Sequence, residues 1–432
     1  MILFLIILIF FSKVSLAFLP GMPRELSPII FQSGLHPYMN IFLTGLMGSL
    51  VLLKWLWRGV SFRAQSRFYR FAIVIFSLYL FLITFLQTQF VNPDESLILQ
   101  LGAALMAIFT VFLFGRVIPT TLEPEVFLKW LQRVTITLCW ISFFCLLLFP
   151  GTSFKGNRFI GVFKHIPHMV STCTLACFAL MYPLFYKKQN KPQLLVTLLN
   201  FFLCLFLLVL TGTRSSLAAV MMGLLLCMII FPSKKDTTRM LKFTVAIAGF
   251  LIILFFGNDI TNYAVGIARG EQSIGGRAAQ DGVATRIEEV ERGFEIFQRS
   301  PWLGQGLLSK FSSGNDAEVT NYDANKDPHN IIISAGVIGG WGMILIVMGG
   351  FCTLTVASVI TLRSKNSALK MIAVYMITHL PILFIYHMHL SIGGIADRIY
   401  WICFGYMALK EMDVKKEIEL KKNLATFSEN ST

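Results

Sequence analysis

The stretch LLVTLLNFFLCLFLLVLTGTRSSLAAVMMGLLLCMIIF, residues 194–231, decides the fold. On either side of TGT at 211–213 stands an apolar block, at about 193–210 and 214–231, each long enough as helix to cross roughly 30 Å of hydrocarbon. The apolar residues come as continuous blocks rather than as the periodic stripe of a surface helix. The segment reads as two membrane-spanning helices joined by a very short connection.

The same pattern recurs along the chain. Of 432 residues 55% are hydrophobic and 40 are Phe, and the mean hydropathy is +0.69, far outside the soluble norm. Further blocks lie at about 2–19, 38–57, 69–90, 97–118, 130–149, 167–186, 241–256, 330–351, 370–387 and 395–409. The expectation is an all-α polytopic membrane protein of about twelve transmembrane helices. The weakest separations are TGT and SIGG at 391–394. Organised by these blocks, 1–256 holds spans one to nine, 257–329 one large loop, 330–409 spans ten to twelve, and 410–432 a basic tail.

Orientation follows from Lys and Arg in the short loops. With both termini inside, the cytoplasmic side collects most of the 37 basic residues, among them Arg63, Arg67, Arg70, Lys187, Lys188, Lys234, Lys235, Arg363 and Lys365. The net charge of +14 is thus a topology and lipid-headgroup signal that calls for no nucleic acid. The first block has no basic leading region, carries Lys13 and lacks a small-residue cleavage site before Pro20, so it reads as a span rather than a signal peptide. All eight Cys fall in apolar blocks; Cys173 and Cys177 share a helix face and read as packing, with neither disulfide framework nor metal site implied.

The large loop is expected on the outer side and carries more acidic than basic residues. Within it, RIEEVERGFEIFQRSPWLGQG begins as an amphipathic helix with Ile287, Val290, Phe294 and Phe297 on one face; Ser300-Pro301 ends it, and Gly304 and Gly306 supply a permissive turn. No P-loop, GxGxxG or kinase signature occurs, so the energy for any chemistry must arrive with the substrate.

Four groups of residues stand out. His329, in DANKDPHNIII at 323–333, precedes the tenth block at its outer end, where the helix dipole disfavours imidazolium and leaves a neutral, proton-accepting ring. Asp327 or Asn330 is the expected cap, with Pro328 pre-set for the turn; the alternative role for His329 is an interfacial side chain at a wet helix end. Arg214 begins the eighth block on the outer side, against the positive-inside trend, as a phosphate ligand or a headgroup anchor. Arg286 opens the loop helix, where the dipole prefers an acid, and is either a ligand or a solvated helix-end residue. Finally, KGNRFIGVFKHIPH at 155–168 gathers Lys155, Arg158, Lys164, His165 and His168 on the outer side, suited to a polyanionic or sugar ligand. HMH at 387–389 puts two His on different faces, and no metal site is expected there. No carboxylate lies between Glu125 and Asp236 or between Asp327 and Asp397, so the spans are expected to lack the buried acids of ion-coupled carriers.

RFIGVFKHIPH before a span, TGTRSS opening a span, the helix-and-turn segment of the large loop, and PHN ahead of a Gly-rich span together resemble the O-antigen ligase and polymerase superfamily, over roughly residues 150–410. The resemblance implies a multi-pass glycosyltransferase of the bacterial inner membrane whose active site faces the periplasm. It would use no cofactor and take its glycan from an undecaprenyl-pyrophosphate carrier. It further implies that Arg214 and Arg286 bind the pyrophosphate, that His329 is the catalytic base and that Arg158 contacts the donor. TGTRSS has Ser215 where many members have Gly. The leading reading is transfer of O-antigen to a lipid A core sugar, with metal and nucleotide unnecessary. A polymerase or protein O-oligosaccharyltransferase would share the chemistry, and a lipid-glycan transporter is the reading from a different class. The sequence leaves the oligomeric state open.

Overall fold

The computed structural model describes residues 2–11, 13–14, 45–46, 48–50, 53, 65–91, 93, 96–155, 158–163, 165–186, 189–231, 281–306, 330–384 and 395–409, with backbone alone for 2, 4, 5, 99, 155, 281–289, 383 and 384. Helices dominate. In chain order they are α1 (Ile2–Phe11), α2 (Arg67–Phe90), α3 (Leu97–Phe112), a π-helical turn (Leu113–Val117), α4 (Ile118–Thr121), α5 (Pro124–Leu148), α6 (Ile166–Phe185), α7 (Lys191–Leu210), α8 (Arg214–Ile230), α9 (Asp281–Arg299), α10 (Ile331–Thr361), α11 (Ser367–His379), a 3-10 turn (Leu380–Phe384) and α12 (Ile395–Met407). A two-stranded hairpin, β1 (Phe154–Lys155) and β2 (Arg158–Phe159), lies between α5 and α6.

Among the described residues six helices are long and apolar enough to cross a membrane: 67–90, 100–121, 124–148, 166–185, 191–210 and 331–361. Two shorter apolar helices cover 214–230 and 367–382. The expected blocks at 241–256 and, but for a few residues, 38–57 lie outside the described residues, as do HMH at 387–389, SIGG at 391–394 and the tail 410–432.

Local chemistry sets the helix boundaries. Asn190 and Gln193 form a reciprocal capping box at α7, Asn366 caps α11 through the amides of Ala368 and Leu369, and Pro124 occupies the first turn of α5. The centre of the bundle is α6, whose Thr172, Cys173, Thr174, Ala176, Cys177 and Ala179 are all buried. Small side chains let neighbouring backbones approach, and the two threonines return their hydroxyls to the carbonyls of His168 and Val170. Cys139 Sγ and Cys173 Sγ stand 3.9 Å apart in this core, in keeping with the packing role read from the sequence.

One expectation needs correction. Asp397 and Arg398 are only 3% and 4% exposed inside α12, so a spanning block does contain a buried acid. It sits beside Arg398 and within electrostatic range of Lys13, so the charge is embedded among cations. The block 395–409 reads as apolar because one Asp-Arg pair is diluted by aromatic neighbours.

The tenth block is also not one straight span. Gly339 and Gly340 leave helical geometry inside α10, with φ of 67° at Gly340. A β-carbon on Gly336 would stand 3.0 Å from Ile344 Cδ1, although eight residues of straight helix cover about 12 Å. Ile331 likewise lines one cavity of about 240 Å³ together with Val347 and Phe351. The short limb 331–338 therefore lies alongside the long limb 341–361, and the membrane-length element is the second limb.

Candidate functional site

The break in α10 frees backbone groups that an apolar interior leaves costly unless they are paired. Four of them find partners outside the helix. Val337 O accepts from the Gln305 amide at 2.6 Å, Ile338 O from Gln87 Nε2 at 2.6 Å, and Gly339 O from the Tyr79 hydroxyl at 2.6 Å. The Trp341 amide donates to Pro301 O at 2.9 Å. Gln87 Nε2 donates a second time, to Leu303 O at 2.5 Å. Two carbonyls face this carboxamide, so its nitrogen and not its oxygen must point to them.

Two of the partners, Gln305 and Pro301, come from the turn 300–306 that follows α9, and the other two, Gln87 and Tyr79, from α2. Gly304 takes φ of 72° and Gly306 of 106°, as the permissive turn requires, and α9 ends at Arg299 just before Ser300-Pro301. The approach is close enough to demand glycine on both sides. A β-carbon on Gly304 would lie 2.6 Å from the Gly339 amide nitrogen, and one on Gly340 would strike Trp302 O.

Helix α9 packs on the short limb. Ile296 and Phe297 are buried against Val337, and Phe297 meets Trp341 edge-on at 5.2 Å between ring centroids. The expected apolar face is shifted: Phe294 is 47% exposed, beside Phe297, while Ile296 takes the inward position. Arg286 does not open this helix. It stands five residues inside, because the helix begins at Asp281.

Asn330 caps the short limb, its Oδ1 accepting from the amides of Ile332 and Ile333 at 3.0 and 3.3 Å. Of the two expected caps, Asn330 fills the position. His329, Pro328 and Asp327 lie outside the described residues; by chain order His329 immediately precedes the cap. The first turn of the limb carries no acid, so no carboxylate there offsets the partial positive charge of the helix start.

A second assembly surrounds Arg214. The hairpin sets Lys155 opposite Arg158 and Phe154 opposite Phe159, and the two Phe rings are buried edge to face at 5.5 Å. From this anchored base the half-buried Arg158 donates through Nε to Thr211 O at 3.0 Å and through Nη2 to Thr213 Oγ1 at 3.1 Å. Thr211 is the C-cap of α7, where carbonyls lack helical partners, and Gly212 turns the chain at φ of 67°. Thr213 is the N-cap of α8, yet its hydroxyl makes no capping bond to the helix. Arg158 has taken it instead. Arg214 is then the first residue of α8, exposed, on a helix end with no acid in its first turn. This arrangement suits a phosphate.

The structure thus joins Arg158 to the turn bearing Arg214, and the helix bearing Arg286 to the limb that follows His329. Sequence reasoning did not single out Gln87 or Tyr79. The available signal was a Gln at the end of an otherwise apolar span. Lys164 lies outside the described residues. His165 and His168 stand 6.0 Å apart by ring centroids, near Phe163.

Residues 199–348 match the family model described as O-antigen ligase, which supports the O-antigen ligase superfamily for this chain. The matched stretch contains Arg214, Arg286 and His329, whereas Arg158 precedes it. No curated protein matches the chain.

Proposed function

We propose that this chain, with its O-antigen ligase region at 199–348, is a periplasm-facing glycosyltransferase of the bacterial inner membrane. It moves O-antigen polysaccharide from undecaprenyl pyrophosphate to a sugar hydroxyl of the lipid A core. The observation that carries the reading is the turn Thr211–Arg214. An arginine fork from the hairpin fixes a helix start whose guanidinium and dipole both favour an anion.

In this mechanism the pyrophosphate sits between Arg214 and Arg286. His329 accepts the proton of the acceptor hydroxyl as its oxygen attacks the anomeric carbon. The bond from that carbon to the phosphate oxygen breaks, its electron pair leaves with the lipid pyrophosphate, and the two guanidinium groups stabilise the charge that develops. The leaving group arrives already activated, so no nucleotide is consumed.

The test is the lipopolysaccharide banding pattern of cells with and without the gene. Ligation predicts loss of all long-chain bands with carrier-linked polymer accumulating. Core bearing a single repeat would instead identify a polymerase, and an unchanged pattern would exclude both.

A further inference from the structure

We infer that Gln87 is a positioning residue that fixes where the limb following His329 in the chain stands. The inference rests on the proposed role of His329 as base. The limb 331–338 is only eight residues long and is joined to the rest of α10 through two glycines that leave helical geometry. Nothing in its own backbone fixes its direction, since a glycine pair tolerates many φ/ψ combinations. Its position comes from what grips the break.

Gln87 binds the limb, at its break, and the turn that packs on it at once. It donates to Ile338 O at the end of the limb and to Leu303 O in the turn after α9. Its residue is 2% exposed, on a helix whose buried face also holds Ile83, Thr84 and Leu80, so the carboxamide is anchored to a rigid element. Tyr79, two turns earlier on α2, reaches Gly339 O. Turn and limb are thereby referred to α2 rather than only to each other. A helical limb pivoting at its glycine end moves its far end most, and the far end is Asn330, with His329 next in the chain. A misplacement of about 1 Å at a reacting group is enough to lower a rate on the order of 100-fold.

The experiment uses the full chain purified in lipid nanodiscs, with lipid-linked donor and core acceptor. Gln87→Met keeps length and removes both donors. Its kcat is expected to fall at least tenfold, and that loss is expected to vanish when Gln87→Met is combined with His329→Ala, because a misplaced base matters only where there is a base. An equal fold-loss with and without His329 would assign Gln87 to general stability and overturn the inference. So would wild-type turnover by Gln87→Met while His329→Ala is inactive, an outcome that leaves the reading of His329 standing. Full turnover by His329→Ala alone would remove the reading itself. Hydrogen exchange on the unsubstituted protein tests the clamp where the variant does not accumulate. The Gln305 and Trp341 amides, bonded to Val337 O and Pro301 O, are expected to exchange at least 100-fold more slowly than free amides; unprotected exchange at both would overturn it.

Discussion

Arg158 donates through Nη2 to the hydroxyl of Thr213 at 3.1 Å, one residue before Arg214 and 55 residues away in the chain. The bond removes Thr213 from its ordinary capping duty and ties a hairpin to a helix start. Together with the Nε bond to Thr211 O, it gives the connection between α7 and α8 a fixed shape. Arg158→Ala should therefore act on donor binding through Arg214. Loss of a charge-assisted bond is worth about 1.5–3 kcal/mol, so donor KM should rise about tenfold or more, and Thr213→Val should show a smaller rise. No rise from Thr213→Val beside a large rise from Arg158→Ala would mean that Arg158 works chiefly by touching the donor.

Arg214 itself can be separated from a mere cation. Arg214→Lys keeps the charge but lacks the planar fork that matches a phosphate. It should remain largely defective in glycan transfer while accumulating normally in the membrane. Full transfer by this variant would reduce Arg214 to an anchor for lipid headgroups.

The glycines of α10 should divide sharply. Gly340→Ala puts a side chain at φ of 67° and against Trp302 O, strain that costs on the order of 1–3 kcal/mol, and should lower the melting temperature and protein yield. Gly350→Ala, in the regular part of the second limb with nothing within 4 Å, should be neutral or gain up to about 1 kcal/mol from better helix propensity. A differential thermal shift between the two variants checks the break.

Asn330→Ala removes the cap of the short limb, at a cost of about 1 kcal/mol. Asn330→Asp keeps an acceptor for the Ile332 and Ile333 amides. Turnover should fall several-fold in the first and much less in the second, because fraying here loosens the residue next to His329. Equal losses in the two would point to a carboxamide requirement beyond capping.

Much of this architecture could be read directly, and the reasons for the rest are specific. Apolar blocks report helices because a lipid-facing or protein-buried helix must be apolar nearly all round, and the caps at Asn190, Asn330 and Asn366 mark their starts. The same logic hides the break in α10. The short limb is buried against Phe297 and the long limb, so it is as apolar as a span, and 330–351 looks continuous. Only Gly339-Gly340 marks the change, and other glycine pairs, such as Gly349-Gly350, sit in unbroken helix. Arg158 was visible as a charge out of place, but its partners lie more than 50 residues on and could not be named from spacing. Asp397 was visible only as the end of a carboxylate-free stretch, because hydropathy does not report whether an acid in an apolar block is buried.

Sidedness has its own check. Cysteines replacing Asn315 or Asp316, in a background free of the natural eight, should react with a membrane-impermeant thiol reagent in cells with a permeabilised outer membrane. Lys365→Cys is the matched inner-side probe, being exposed, whereas Ser364 is 6% exposed and would stay silent on either side. Labelling of Lys365→Cys alone would invert the topology and every role assigned to the periplasmic face.

In the proposed mechanism His329 supplies a base to a glycosyl transfer whose leaving group is held by Arg214 and Arg286. The most direct measurement is single-turnover transfer by purified His329→Gln, alongside its affinity for the lipid-linked donor. An amide can hydrogen-bond the acceptor hydroxyl but cannot take its proton. The expected rate is lowered by on the order of 10²–10⁴-fold with donor binding within about twofold of wild type, a difference under roughly 0.5 kcal/mol. Wild-type turnover by His329→Gln would contradict it.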